Sequence, residues 1–159
     1  MTDRILLAKA RWGLSKIWFS WGGMLFTIIV LQSIFGRYGE QVKEAWSWFI
    51  PTIIPTIALM MGVLGAEAML SGDDVRNVKK NFYTITWWLS FGYLLILSIT
   101  ILLEPFAPMN AIELYLISNF WLSPLQGIVG GAIALLFTSQ RTEAPPEVPP
   151  PVAQEPSDQ

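Results

Sequence analysis

Four stretches of this chain are each long enough and apolar enough to cross a bilayer, and that restricts the fold before any motif is considered. Residues 17–35, 82–103 and 114–137 carry no charged residue, and residues 48–70 carry only Glu67. A helix rises about 1.5 Å per residue, so about 20 residues cover a hydrocarbon core roughly 30 Å thick. A soluble surface helix keeps a charged or polar face along its length, and these stretches do not. Backbone groups in lipid find no water, so the spanning segments must be helices that satisfy their own hydrogen bonds. The expected fold is an all-α integral membrane protein: an antiparallel bundle of four transmembrane helices over residues 17–137.

Composition narrows the chemistry. Of 159 residues, 53% are hydrophobic and only 14% are charged, against about 25% charged in an ordinary soluble domain. Histidine and cysteine are absent. That excludes disulfides, Cys/His zinc sites, iron–sulfur clusters and His-ligated haem, and every Ser–His or Cys–His nucleophile. No metal or cofactor is expected. Ten basic against twelve acidic residues leave a net charge of −2, without the basic excess that nucleic acid requires. The expected partners are the lipid bilayer and either a second copy or another membrane protein.

Basic residues set the expected orientation. Arg4, Lys9, Arg11 and Lys16 precede the first span, Arg76, Lys79 and Lys80 lie between the second and third, and Arg141 follows the fourth; only Arg37 and Lys43 lie on the opposite side. Basic loops stay in the cytoplasm, so both termini are expected there, in a bacterial inner membrane. The basic, partly apolar residues 1–16 suit either a short helix on anionic lipid or a frayed flank.

Local signals subdivide the chain. Residues 41–47 read as a brief interfacial helix, and residues 71–73 (Ser-Gly-Asp) as a stop followed by a cap. Val75, Val78 and Phe82 keep helical spacing, so the third helix is expected to begin near Asp74 and to extend into the cytoplasm. Pro105 and Pro108 end it, and Asn110 with Glu113 opens the fourth helix as an N-cap pair. Residues 138–159 hold six of the eleven prolines and no aromatic residue, which predicts a disordered acidic cytoplasmic tail. A Pro-x-x-Pro spacing at Pro146 and Pro149 fits either a docking segment or a plain solvated tail.

Inside the spans, three features carry the functional expectations. Pro51, Thr52, Pro55 and Thr56 form a tandem repeat. Pro55 lacks an amide hydrogen, so it frees the carbonyl four residues back and kinks the helix. The Thr hydroxyls can return bonds to the backbone there. The segment reads as a hinge, a cavity wall or a static kink. Ala58, Gly62 and Ala66 repeat every fourth residue, and Gly127, Gly130 and Gly131 crowd the fourth span, which is how helices approach closely in lipid. Asn119, Ser123 and Gln126 share a face with those glycines, and the Gln126 amide must meet protein or water. Glu67 reads as an interfacial carboxylate paired with Lys79 or Lys80, or as a proton- or cation-binding group. Together these predict a non-enzymatic membrane subunit that associates through small-residue faces. The alternative is a homo-oligomeric cation pathway lined by the polar residues of spans two and four.

Overall fold

The computed structural model describes residues 4–69 and 77–138. Four helices account for nearly all of them: α1 (Leu7–Ile34), α2 (Val42–Met69), α3 (Lys80–Leu103) and α4 (Ala111–Thr138). All four are long and apolar enough to cross a membrane, and the chain has the build of a multi-pass membrane protein. Three of the helices have 28 residues, about 42 Å of rise, which exceeds a bilayer core and leaves the ends in the interfaces. The 71–73 turn, the expected helix start near Asp74 and the tail beyond Thr138 lie outside the described residues.

The first helix begins at Leu7, not near residue 17. Leu7, Ala10, Leu14, Trp18, Leu25 and Ile29 recur at steps of three, four and seven and are all buried. One apolar stripe therefore runs through the basic flank, and no break separates a surface helix from a span. Two three-residue strands, β1 (Arg4–Leu6) and β2 (Asn77–Lys79), pair antiparallel and tie the starts of α1 and α3 together. This corrects the expected continuation of α3 into the cytoplasm: Lys79 has extended backbone, with ψ 125°, so α3 starts at Lys80. At the opposite end Gly36 and Gly39 have positive φ, 71° and 53°, a conformation open to glycine at no steric cost. They turn the chain into a single 3₁₀ turn, Gly39–Gln41, which leads directly into α2. Residues 42–47 are thus the first turns of α2 rather than a separate helix.

α4 packs chiefly on α2 and α3, and α1 on α3 and α2. Close approach of α1 to its neighbours rests on two glycines. A β-carbon on Gly22 would lie 3.0 Å from Ile57 Cδ1 and 3.4 Å from Ile53 Cγ2, and one on Gly13 would lie 2.6 Å from the Tyr83 hydroxyl. Trp18 stacks on Tyr93 with ring centroids 5.9 Å apart, and Trp21 donates to Ser98 Oγ at 2.7 Å. These contacts place rigid aromatic and small residues, rather than flexible ones, at the α1–α3 seam.

Candidate functional site

Polar side chains gather at three depths, and each cluster joins helices that are distant in sequence. At the end that carries the β1–β2 pair, Arg11 is 4% exposed. Its Nε donates to Leu136 O at 3.1 Å and its Nη2 to Phe137 O at 2.7 Å, while Nη1 pairs with Glu67. The guanidinium also lies 5.8 Å from the Phe137 ring centroid. The last carbonyls of a helix lack amide partners and carry the negative end of its dipole, so a planar cationic fork suits α4's terminus. Glu67 therefore pairs with Arg11, across from α1, and not with Lys79 or Lys80. Its side chain keeps 41% of its exposure.

Near the middle of the bundle, the Gln126 amide of α4 donates to Pro51 O at 2.6 Å. That carbonyl is the one Pro55 leaves without its helical donor. The Tyr93 hydroxyl of α3 donates to the next carbonyl, Thr52 O, at 2.8 Å, and Thr52 Oγ1 donates back to Phe49 O at 2.6 Å. Two neighbouring helices thus supply donors to the stretch of α2 that its prolines disrupt.

The third cluster lies at the opposite end. Arg37, in the turn after α1, grips Glu104 with two bonds, Nε to Oε2 at 3.0 Å and Nη2 to Oε1 at 3.1 Å. The Glu104 side chain is 3% exposed and that of Arg37 43%. The hydrogen bond and the charge of Glu104 hold the Arg37 pKa above its ordinary value. Tyr38 donates to Gln32 Oε1, and its oxygen lies 3.0 Å from the Tyr115 hydroxyl. A phenol has one hydrogen, so Tyr115 is the donor between them. Burial, aided by Glu104, pushes the Tyr38 phenol above its usual 10.0, against the opposing influences of the Tyr115 hydrogen bond and Arg37. Trp48 stacks on Tyr115, 4.2 Å between centroids at 7°, and donates to Ser118 Oγ at 3.1 Å. Asn110 stands directly before α4, and its amide donates to Gln41 Oε1 at 3.2 Å.

No family model, curated protein or solved structure matches the chain. The chemistry has to be read from the clusters alone. Among the described residues no group of three or more acidic residues is placed to hold a metal.

The sequence candidates separate into two sets. Thr52 and Thr56 are buried, Asn119 and Gln126 are half-buried, and Ser123, Pro51 and Pro55 are exposed. None of them lines either of two surface clefts, one formed by Ile28, Leu31, Gln32, Phe35, Arg37 and Pro105 and the other by Ile99, Thr100, Leu103, Phe106, Ala107, Leu114 and Trp121. Ala58, Gly62, Ala66, Gly127 and Gly131 are exposed and Gly130 is half-buried. A β-carbon on any of these four glycines meets nothing within 4 Å. Within one chain, α2 and α4 therefore do not meet through these residues. Sequence reasoning passed over Arg11, Glu104, Tyr93 and Tyr115. For Arg11 a signal existed: it sits beside Ala10 on the apolar stripe that runs from Leu7 to Trp18.

Proposed function

We propose that the protein is a non-catalytic membrane subunit, with both termini in the cytoplasm of a bacterial inner membrane, which associates through the small-residue faces of α2 and α4. The observation that carries this reading is the empty space over Gly62, Gly65, Gly127 and Gly131. Small residues let helix backbones approach closely in lipid, where no hydrophobic incentive drives association. Among the described residues nothing uses that capacity, which leaves it for a second copy or another membrane protein. Gln126 and Tyr93 commit their donors to the α2 carbonyls of Pro51 and Thr52, which supports a framework role over a conducting one.

Because nothing among the described residues lies within 4 Å of a β-carbon on Gly62, Gly62→Leu separates assembly from folding. The variant should keep the wild-type thermal midpoint as a monomer in detergent. Its association in lipid, followed by crosslinking and energy transfer, should weaken by about fivefold to 150-fold, since a bulky side chain in a close helix contact costs about 1–3 kcal/mol. Unchanged association in Gly62→Leu and in Gly127→Leu would refute the proposal.

A further inference from the structure

The β1–β2 pair that ties the starts of α1 and α3 together sets two cations against each other. Arg4 pairs with Lys79, Ile5 with Val78 and Leu6 with Asn77. Strand alternation puts Arg4, Leu6, Lys79 and Asn77 on one exposed face, while Ile5 and Val78 are half-buried against the core. Directly opposed side chains have β-carbons about 5 Å apart, and like charges there destabilise the pair. No carboxylate among the described residues bridges to Arg4 or Lys79. Among the described residues the surroundings add positive charge instead. Leu6 and Lys79 immediately precede α1 and α3, and neither helix has a side-chain cap or an acidic residue in its first turn, so both turn the positive ends of their dipoles to the strand pair. Lys9 and Lys16 are exposed on α1. The described carboxylate at this end, Glu67, is committed to Arg11.

Apolar surface accompanies the charge. Leu6 is 49% and Trp12 55% exposed, and the Lys16 ammonium lies 5.6 Å from the Trp12 ring centroid. A soluble anion would satisfy the cations but make no contact with this apolar surface. A lipid satisfies both. We propose that Arg4 and Lys79 clamp the phosphate of an anionic phospholipid, whose acyl chains cover the exposed apolar surface at the start of α1.

The test uses the full chain in nanodiscs of phosphatidylcholine with or without phosphatidylglycerol, reading thermal midpoint and co-purified lipid. Two basic residues acting on an anionic headgroup correspond to roughly 30-fold preference for phosphatidylglycerol. Arg4→Gln/Lys79→Gln should abolish that preference, and Lys9→Gln/Lys16→Gln, which removes equal charge from α1, should keep most of it. A second variant guards against simple loss of fold. Lys79→Glu puts a carboxylate opposite Arg4, where the phosphate would sit, so its midpoint in phosphatidylcholine should exceed wild type and should no longer respond to phosphatidylglycerol. The proposal is overturned if Arg4→Gln/Lys79→Gln retains the wild-type preference, or if Lys9→Gln/Lys16→Gln loses it equally. A wild-type lipid response in Lys79→Glu overturns it too. Inorganic phosphate that reproduces the shift in phosphatidylcholine would replace the lipid with a soluble anion.

Discussion

Replacing Arg11 with methionine keeps much of the side chain's apolar stem and removes the group that holds the ends of α2 and α4 to α1. Two bonds from a charged donor to the Leu136 and Phe137 carbonyls contribute about 1.5–3 kcal/mol each. Removing a buried guanidinium also lifts its desolvation cost, which brings the expected net loss to the lower end, about 3 kcal/mol. The Glu67 pairing adds little, because a carboxylate that keeps 41% of its exposure is screened by water, and such pairs contribute about 0–1 kcal/mol. Glu67→Gln should therefore cost about 1 kcal/mol or less, although it breaks the same ion pair. Arg11→Lys keeps the charge but not the planar fork, and should recover less than half of what Arg11→Met loses. Reversible unfolding of the full chain in mixed micelles, followed by tryptophan fluorescence, reads all three. If Glu67→Gln costs as much as Arg11→Met, the ion pair and not the helix-end carbonyls accounts for the burial of Arg11, and this apportionment is wrong.

Gln126→Leu strands the Pro51 carbonyl and should cost about 1–3 kcal/mol. Pro55→Ala restores a helical donor to that carbonyl, so the two changes together should cost less than their sum, and a strictly additive cycle would show that Gln126 stabilises by some other contact. At the opposite end, Arg37→Gln should destabilise more than Glu104→Gln, because it leaves a buried carboxylate without a counter-charge whereas Arg37 alone can reach water; the reverse order in the same unfolding assay would contradict this. Since the chain has no native cysteine, orientation can be read from single replacements: Glu40→Cys should react with a membrane-impermeant maleimide in intact cells and Lys9→Cys only after lysis. The opposite labelling pattern would invert the proposed topology.

The four helices were legible because a bilayer demands something a sequence states locally, an uninterrupted apolar run. Their ends were not, for two different reasons. The Leu7–Trp18 stripe is itself local and could have extended α1, but charge in the flank masks it when hydropathy is read alone. The pairing of Arg4–Leu6 with Asn77–Lys79 is long-range and only three residues wide, and Val78 fits helical spacing as well as it fits a strand. The middle cluster was half legible. Proline chemistry names the orphaned carbonyl and lipid requires a partner for Gln126, yet joining the two needs the register of α2 against α4. Arg37 and Glu104, 67 positions apart, leave no local trace at all, since a basic residue in a loop and an acidic residue before a proline are both ordinary at a membrane boundary.

The distribution of glycine separates what this fold requires from what it leaves available. A β-carbon on Gly13 would push on the Tyr83 hydroxyl and one on Gly22 on the end of the Ile57 side chain, so at these two positions α1 uses the missing side chain to sit close to its neighbours. Gly62, Gly65, Gly127, Gly130 and Gly131 have open space where a side chain would stand. Glycine in a helix interior costs about 1 kcal/mol relative to alanine, and membrane helices tolerate it most readily where backbones meet. Gly23 and Gly92 have the same open space, so such positions occur on all four helices. Five of them lie on the two that carry internal prolines, and none gains a packing contact among the described residues. Under the proposed association, a second copy or another membrane protein supplies the compensating contact. That is why Gly62→Leu is informative: it alters the outward face of α2 while leaving the contacts that hold the four helices together untouched.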